Sequence, residues 1–248
     1  MRLDVFFTPQ QVKQGDTMGR LVIIVDVLRA STTVATALGN GAKTVIPVEG
    51  ADAVIARAKE FEHSDVLLVG EQKMLPIPGF DLGNSPQSFT PAVVEGKTIL
   101  ITTTNGTRTL LGVQGARDIV IASYVNFTAV LAMMKVAASS NTDIAIICAG
   151  EEGSFTLEDA ACAGRYVKAI PKRAESVLMN DAASASVMIE KKYGDNIAKV
   201  FKESTHGQAL ASAGFGDDLA AAAQVDSYPV VPIYQDRQIT KLGPERAR

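Results

Sequence analysis

The chain has no tryptophan, and aromatic residues make up only 6% of it. Nucleic acids are gripped by aromatic stacking platforms and clustered positive charge. Here the formal net charge is -3 and the basic residues are scattered, apart from the tail KLGPERAR, so nucleic acid is excluded as a partner class. The two cysteines, Cys148 in an apolar strand context and Cys162 in an alanine-rich stretch, cannot build a disulfide framework and read as buried, reduced thiols. There are two histidines, His63 and His206, and no Cys/His spacing of the zinc type, which argues against a zinc site. No uninterrupted apolar run approaches the ~20 residues of a membrane helix. The opening MRLDVFFTPQ carries charges at Arg2 and Asp4 and too short an apolar stretch for an export signal. The expectation is a cytoplasmic protein with no membrane association. Low-complexity tracts, fixed-period repeats and Gly/Ser linkers are missing too.

What the chain does have is a series of apolar runs rich in Val and Ile. They recur at Leu3 to Phe7, Leu21 to Val27, Thr44 to Val48, Val66 to Val69, Thr98 to Ile101, Asp118 to Ala122 and Asp143 to Cys148. Continuous apolar runs of this length suit strands buried on both faces. Helical patterns lie between them at Ala30 to Leu38, Asp52 to Phe61 and Asn126 to Ala138, so the alternation predicts strand-helix units around a largely parallel sheet. Past residue 150 alanine-rich helices take over, at Leu157 to Ile170, Ala182 to Lys192, Gln208 to Ser212 and Asp218 to Gln224. A last strand candidate, Val230 to Ile233, has Pro229 before it and Pro232 within it, which predicts an edge position. The expected fold is a three-layer α/β/α unit over residues 1–248, with a helix-rich C-terminal portion from about residue 151 as a candidate subdomain. A homodimer is the expectation from general frequency alone.

Ligands of open α/β sheets bind beyond the carboxyl ends of the strands. Those ends are polar here. The stretch ILITTTNGTRTL runs from a strand into a turn where Thr103, Thr104 and Thr107 offer hydroxyls, Asn105 and Gly106 offer backbone freedom, and Arg108 offers a two-pronged donor for an anion. The bland alternative is a strand-to-helix turn whose threonines cap a helix. Asp26 interrupts the apolar run VIIVDVLRAST, with Arg29 one turn on. It is either a helix cap or a carboxylate that burial would penalise without a partner or metal. Other ends carry Glu71, Ser123 to Asn126, and Glu151 with Glu152, while Glu158 and Asp159 open a helix, where at least one of them can simply complement the helix dipole. Carboxylates on several strand ends favour a hard divalent cation, Mg2+ over zinc. The segment PIPGFDLGNSPQSF is a rigid loop presenting Asp81, Asn84 and Ser85 around Gly83, as a binding loop or as a structural loop with a helix cap. His206, in ESTHGQAL, is a candidate acid or a helix-start residue with a structural role.

With DVLRAST from Asp26, GFDLGNSP from Gly79, TTNGTR from Thr103, CAG from Cys148 and the LED of Leu157 to Asp159, the chain resembles the 2-phosphosulfolactate phosphatase family from about Leu3 to the Pro232 region. The resemblance implies a magnesium-dependent hydrolase that converts 2-phospho-3-sulfolactate to 3-sulfolactate on a route to coenzyme M. One departure is visible: where the family usually has an arginine after the glutamate of a GER element, this chain reads Gly70, Glu71, Gln72.

On this reading Asp26 and a second carboxylate, Glu71 or Asp159, hold Mg2+. Arg29, Arg108 and the Thr103 to Thr107 turn hold a small anionic phosphoester, with Asp81 and Asn84 as further contacts. Asp26 as a phosphoryl-accepting nucleophile is the rival role, although position 28, where haloacid-dehalogenase chemistry needs a second aspartate, is leucine. The competing functions are a non-catalytic binder of phosphorylated or sulfonated metabolites, and a phosphatase for another 2-phosphorylated hydroxy acid.

Overall fold

A computed structural model describes residues 1–170 and 177–243. The end of the basic tail, from position 244 on, lies outside them. The elements in chain order are β1 (Arg2–Phe6), β2 (Leu21–Val25), α1 (Ala30–Gly39), β3 (Thr44–Pro47), α2 (Ala51–Ala58), β4 (Val66–Gln72), β5 (Leu75–Pro76), α3 (Pro91–Val94), β6 (Thr98–Thr102), α4 (Gly106–Gly112), β7 (Asp118–Ala122), α5 (Phe127–Ser139), β8 (Ile144–Cys148), α6 (Leu157–Ala169), β9 (Leu178–Met179), α7 (Asp181–Tyr193), α8 (Ile197–Glu203), α9 (Thr205–Ser212), α10 (Gly216–Ala222), β10 (Pro232–Gln235) and β11 (Gln238–Lys241).

The strands form one mixed, mostly parallel sheet in the order β5-β4-β6-β3-β11-β10-β7-β2-β8-β1-β9, with helices on both faces, as the three-layer expectation required. β2 and β8 are buried along their whole length because alternate residues feed two cores. Leu21, Ile23 and Val25 pack with Tyr166 and Val167 of α6 and with Val200 and Phe201 of α8. Val22 and Ile24 face the other way, toward Val34 and Leu38 of α1. That second core also takes Ile99 and Ile101 of β6, Val45 of β3 and Ile147 of β8, so strands far apart in the sheet order share one apolar interior. The sheet therefore curls around α1 and α4, which brings the carboxyl ends of β6 and β2 together. The helices after residue 151 pack onto the face built by β1, β2 and β8.

The edge position expected for the last strand is overturned. β10 pairs with β7 through Ile233 and Val120, and β11 pairs with β3 through Ile239 and Val45, so this hairpin lies in the middle of the sheet. Pro232 is tolerated because it is the first residue of its strand. The turn places both Asp236 (φ 52°) and Arg237 (φ 62°) in the left-handed region, the two-residue geometry that matches strand twist. No glycine marks it, and the strand Gln238–Lys241 went unforeseen, as did α8.

Candidate active site

Register levels the strand ends. Val25 is opposite both Ala122 and Cys148, so Asp26, Ser123 and Ala149 emerge side by side. On the other limb Gly70 is opposite Thr102, which sets Glu71 beside Thr103. Where the limbs meet there is a narrow cleft walled by Asp26, Arg29, Glu71, Asn84, Thr103, Thr104, Asn105, Glu151 and His206, with Leu28, Met74 and Leu210. A second hollow of about 270 Å³ shares the Glu71 and Thr103–Thr104 wall and adds Gln72 and Arg108.

Asp26 is both helix cap and cleft residue. Its Oδ1 accepts from the Ala30 N–H at 3.1 Å, and its backbone N–H donates to Ser31 Oγ at 2.9 Å. Its Oδ2 lies against Gly106, where a Cβ would stand 2.7 Å from that oxygen and 2.8 Å from Ala30. Gly106 thus makes room for a carboxylate. It is not in the left-handed region, and neither is Asn105 (φ -117°), so the backbone freedom expected of this pair is not what the turn uses. Burial raises the Asp26 carboxyl to about 7; the Glu151 and Glu71 charges add to the rise, while His206 and the Ala30 N–H oppose it.

The threonine turn is largely bonded to itself and its neighbours. Thr103 N–H donates to Thr107 Oγ1, Thr107 N–H to Thr103 Oγ1, and Thr104 N–H to Glu71 Oε1 at 2.7 Å. Glu71 Oε2 accepts from Met74 N–H, so each of its oxygens keeps one lone pair for a ligand. Asn105 donates to Glu151 Oε2 and accepts from Glu152 N–H, tying the β6 turn to the loop after β8. Arg29 is buried, with Nη1 on Asp218 Oδ2 at 2.8 Å, Nη2 on the Met74 carbonyl at 2.7 Å, and its guanidinium over the Phe215 ring. Arg108 is exposed, faces the outer hollow, and has no hydrogen bond or ion pair among the described residues. Asn84 is buried at the cleft wall, and its Oδ1 has no partner among the described residues.

Two sequence candidates stand elsewhere. Asp81 is exposed and bonds the Leu68 N–H at 2.8 Å, which pins its loop to β4. Asp159 is buried behind the cleft, with Oδ1 on Val27 N–H at 2.8 Å and Oδ2 on Gly150 N–H at 3.1 Å. Burial, with the Asp26 and Glu158 charges, holds its pKa well above the carboxylate range. It staples the segments that follow β2 and β8 rather than facing a ligand. Asp159→Ala would leave two buried N–H groups unpaired, an expected loss of about 2–3 kcal/mol in the urea unfolding free energy. An unchanged midpoint would contradict the staple. Ser123 and Asn126 are structural as well: Ser123 N–H and the Ile121 and Val230 carbonyls are all taken by the Asn126 amide.

Glu158 and His206 emerge as a pair. His206 Nδ1 lies 2.9 Å from Glu158 Oε1, and its Nε2 lies 3.6 Å from Glu151 Oε2. Spacing could not show a contact across 48 residues. Burial alone would lower the His206 pKa, but the Glu158 hydrogen bond and charge, with Glu151 and Asp26, carry it up to about 9.

The comparisons with known proteins decide the family. Residues 6–237 match the 2-phosphosulpholactate phosphatase family. The chain belongs to it. A probable 2-phosphosulfolactate phosphatase of Symbiobacterium thermophilum is 38% identical over 227 residues, 90% of this chain and 95% of that protein. Proteins of the same description from Caldanaerobacter subterraneus subsp. tengcongensis and Clostridium acetobutylicum are 36% and 33% identical, covering 94% and 96% of this chain and 95% and 100% of their own lengths. Members of the 2-phosphosulfolactate phosphatase family are phosphoric monoester hydrolases, and this chain is one. Among the described residues, no helix is long and apolar enough to cross a membrane.

Proposed function

We propose that the chain hydrolyses 2-phospho-3-sulfolactate to 3-sulfolactate and inorganic phosphate with the help of Mg2+, in the cytoplasm and toward coenzyme M. The observation that carries the reading is the buried Asp26 carboxylate sharing one cleft with Glu71, Arg29 and His206 in a chain of this family. The donor set suits magnesium. Among the described residues no three His, Cys, Asp or Glu side chains stand close enough to hold a metal ion alone. Magnesium, however, is usually bound through one or two carboxylates together with substrate phosphate and water. Asp26 and Glu71 are the residues that would hold it, and a cation there would offset the burial, and after it the neighbouring carboxylate charge, that lift Asp26. Bound there, it would supply positive charge for the phosphate oxygens and a lower pKa for the attacking water.

The protein's own groups orient the ester. Arg29, fixed by Asp218 and the Met74 carbonyl, presents its remaining N–H groups to the phosphate. Arg108, with no partner among the described residues, takes the second anion from the outer hollow, beside the Thr104 hydroxyl. Asn84 Oδ1 is free to accept from the hydroxyl that the product gains. Gln72, lining the same hollow as Arg108, supports a second reading, in which a carboxylate takes the place of the sulfonate.

Phosphate release from 2-phosphosulfolactate and from 2-phospholactate, each with magnesium and with chelator, tests both readings. Magnesium-dependent release from the sulfonate, well above that from the carboxylate, is the expected result. Comparable release from both would establish the broader substrate class, and release from neither would leave a binding protein.

A further inference from the structure

We infer that His206 is the proton donor to the leaving oxygen of the phosphoester and that Glu158 is the positioning residue that holds it; this rests on the hydrolase reading above. His206 is the second residue of α9, whose start is fixed by Ser204 Oγ accepting from Gly207 N–H at 2.9 Å. A Cβ on Gly207 would stand 2.1 Å from the Phe201 carbonyl, so α9 sits tight against the end of α8 and the imidazole is anchored. Glu158, only 1% exposed, takes Nδ1, and its other oxygen has no partner among the described residues. A buried carboxylate with so little compensation favours the ring that carries a proton on both nitrogens. The Nε2 edge is left over. Glu151 Oε2 is 3.6 Å away, outside hydrogen-bond range, and already accepts from Asn105 at 2.5 Å. Nε2–H is thus a free donor on the wall of the Asp26 cleft.

The groups facing the ring are all acidic: Glu158 from α6, Glu151 from the loop after β8, and Asp26 from the end of β2. Each favours the protonated form, so the acid is loaded before substrate arrives. Of the other cleft groups, Arg29 cannot give up a proton, Asp26 and Glu71 are the carboxylates that would hold the metal, and Glu151 is tied to the Asn105 amide through Oε2. In the step itself a bond forms between the water oxygen and phosphorus, and the bond from phosphorus to the carbon-bearing oxygen breaks. That oxygen keeps the electron pair and takes the Nε2 proton, leaving a neutral imidazole with Nδ1–H on Glu158. The water's proton leaves with the inorganic phosphate, and solvent reloads Nε2. An alkoxide of a secondary alcohol leaves poorly without such a donor, and positioned acids contribute on the order of 10²–10⁴-fold.

The test compares wild type with His206→Asn, whose amide still donates to Glu158, on 2-phosphosulfolactate and on p-nitrophenyl phosphate, whose phenolate needs no proton to leave. The expected result is a fall in kcat of about 10²-fold or more on the alkyl ester and less than about 10-fold on the aryl ester. Equal falls on both would overturn the role of His206. Release from neither substrate by wild type would instead overturn the hydrolase reading. A second measurement needs neither substrate nor variant: ring 15N NMR of the chain's two histidines, with His63 exposed and His206 in the cleft, should show His206 protonated on both nitrogens at pH 7.5. A neutral His206 ring there would overturn the proposal.

Discussion

Asp26→Asn is expected to lower phosphate release by roughly 10³-fold while raising the stability of the fold at pH 8. The first effect follows from charge. Asn keeps the shape and can still accept from the Ala30 N–H, but it removes the anion that would hold the cation, and with it several kcal/mol of transition-state stabilisation. The second follows from proton linkage. The folded carboxyl titrates at about 7 against 3.8 for an ordinary aspartate side chain, because burial and then the Glu151 and Glu71 charges disfavour its anion. Between those values the folded state binds more protons than the unfolded state, so stability falls as pH rises from about 4 to 7, and the full cost persists above 7. The amide carries no such cost. Melting in chelator should therefore show the variant several degrees above wild type at pH 8 and level with it near pH 4. His206 works with the same sign at higher pH. Held at about 9 in the fold, it contributes stability that is complete below about 6.5 and lost as pH rises through 9. A variant that turns over normally, or that melts below wild type at pH 8, would remove Asp26 from the centre of the site.

Much of the fold was legible because the central strands announce themselves. Runs such as LVIIV and IAIIC are apolar at every position, and each fills the core on both faces. The inserted hairpin was not legible, since its turn reaches positive φ with Asp236 and Arg237 and carries no glycine to mark it. In the site, reading strand ends gathered Asp26, Arg29, Glu71, Glu151 and the Thr103–Asn105 turn, and the loop PIPGFDLGNSPQSF supplied Asn84; all of them line one cleft. The same reading could not separate a carboxylate on the cleft wall from one set behind it or on the outer surface. Glu71 and Asp159 each accept two backbone N–H groups, and what sets them apart is place: Glu71 lines the cleft, Asp159 is buried behind it and Asp81 is exposed. Partners distant in sequence were invisible for a related reason. Nothing in the spacing of ESTHGQAL or LEDAA says that one supplies a histidine and the other the carboxylate that orients it, or that Arg29 waits 189 residues for Asp218.

Asp218→Ala is expected to destabilise the protein by about 3–5 kcal/mol, the cost of leaving a buried charge without its partner. Asp218 is 2% exposed and does two jobs from the first turns of α10: Oδ2 holds Arg29 Nη1, and Oδ1 accepts from Ser85 Oγ at 2.5 Å. Removing it strands the guanidinium between the Met74 carbonyl and the face of Phe215 and frees the loop that carries Asn84. The expected reading is a matching fall in the urea unfolding free energy, together with a higher KM as the phosphate anchor loses its orientation. Removing both charges separates the ion pair from the packing around it. Arg29→Met with Asp218→Leu should recover most of the lost stability, because two apolar side chains of similar size carry no desolvation cost, while activity is lost with the Arg29 phosphate anchor. If the single variant loses less than about 1 kcal/mol, water reaches Arg29 from the cleft and solvates it in place of Asp218. If the double variant is no more stable than the single, the ion pair is needed to dock α10 against the β2 end of the sheet, and the buried charge itself is not the main cost.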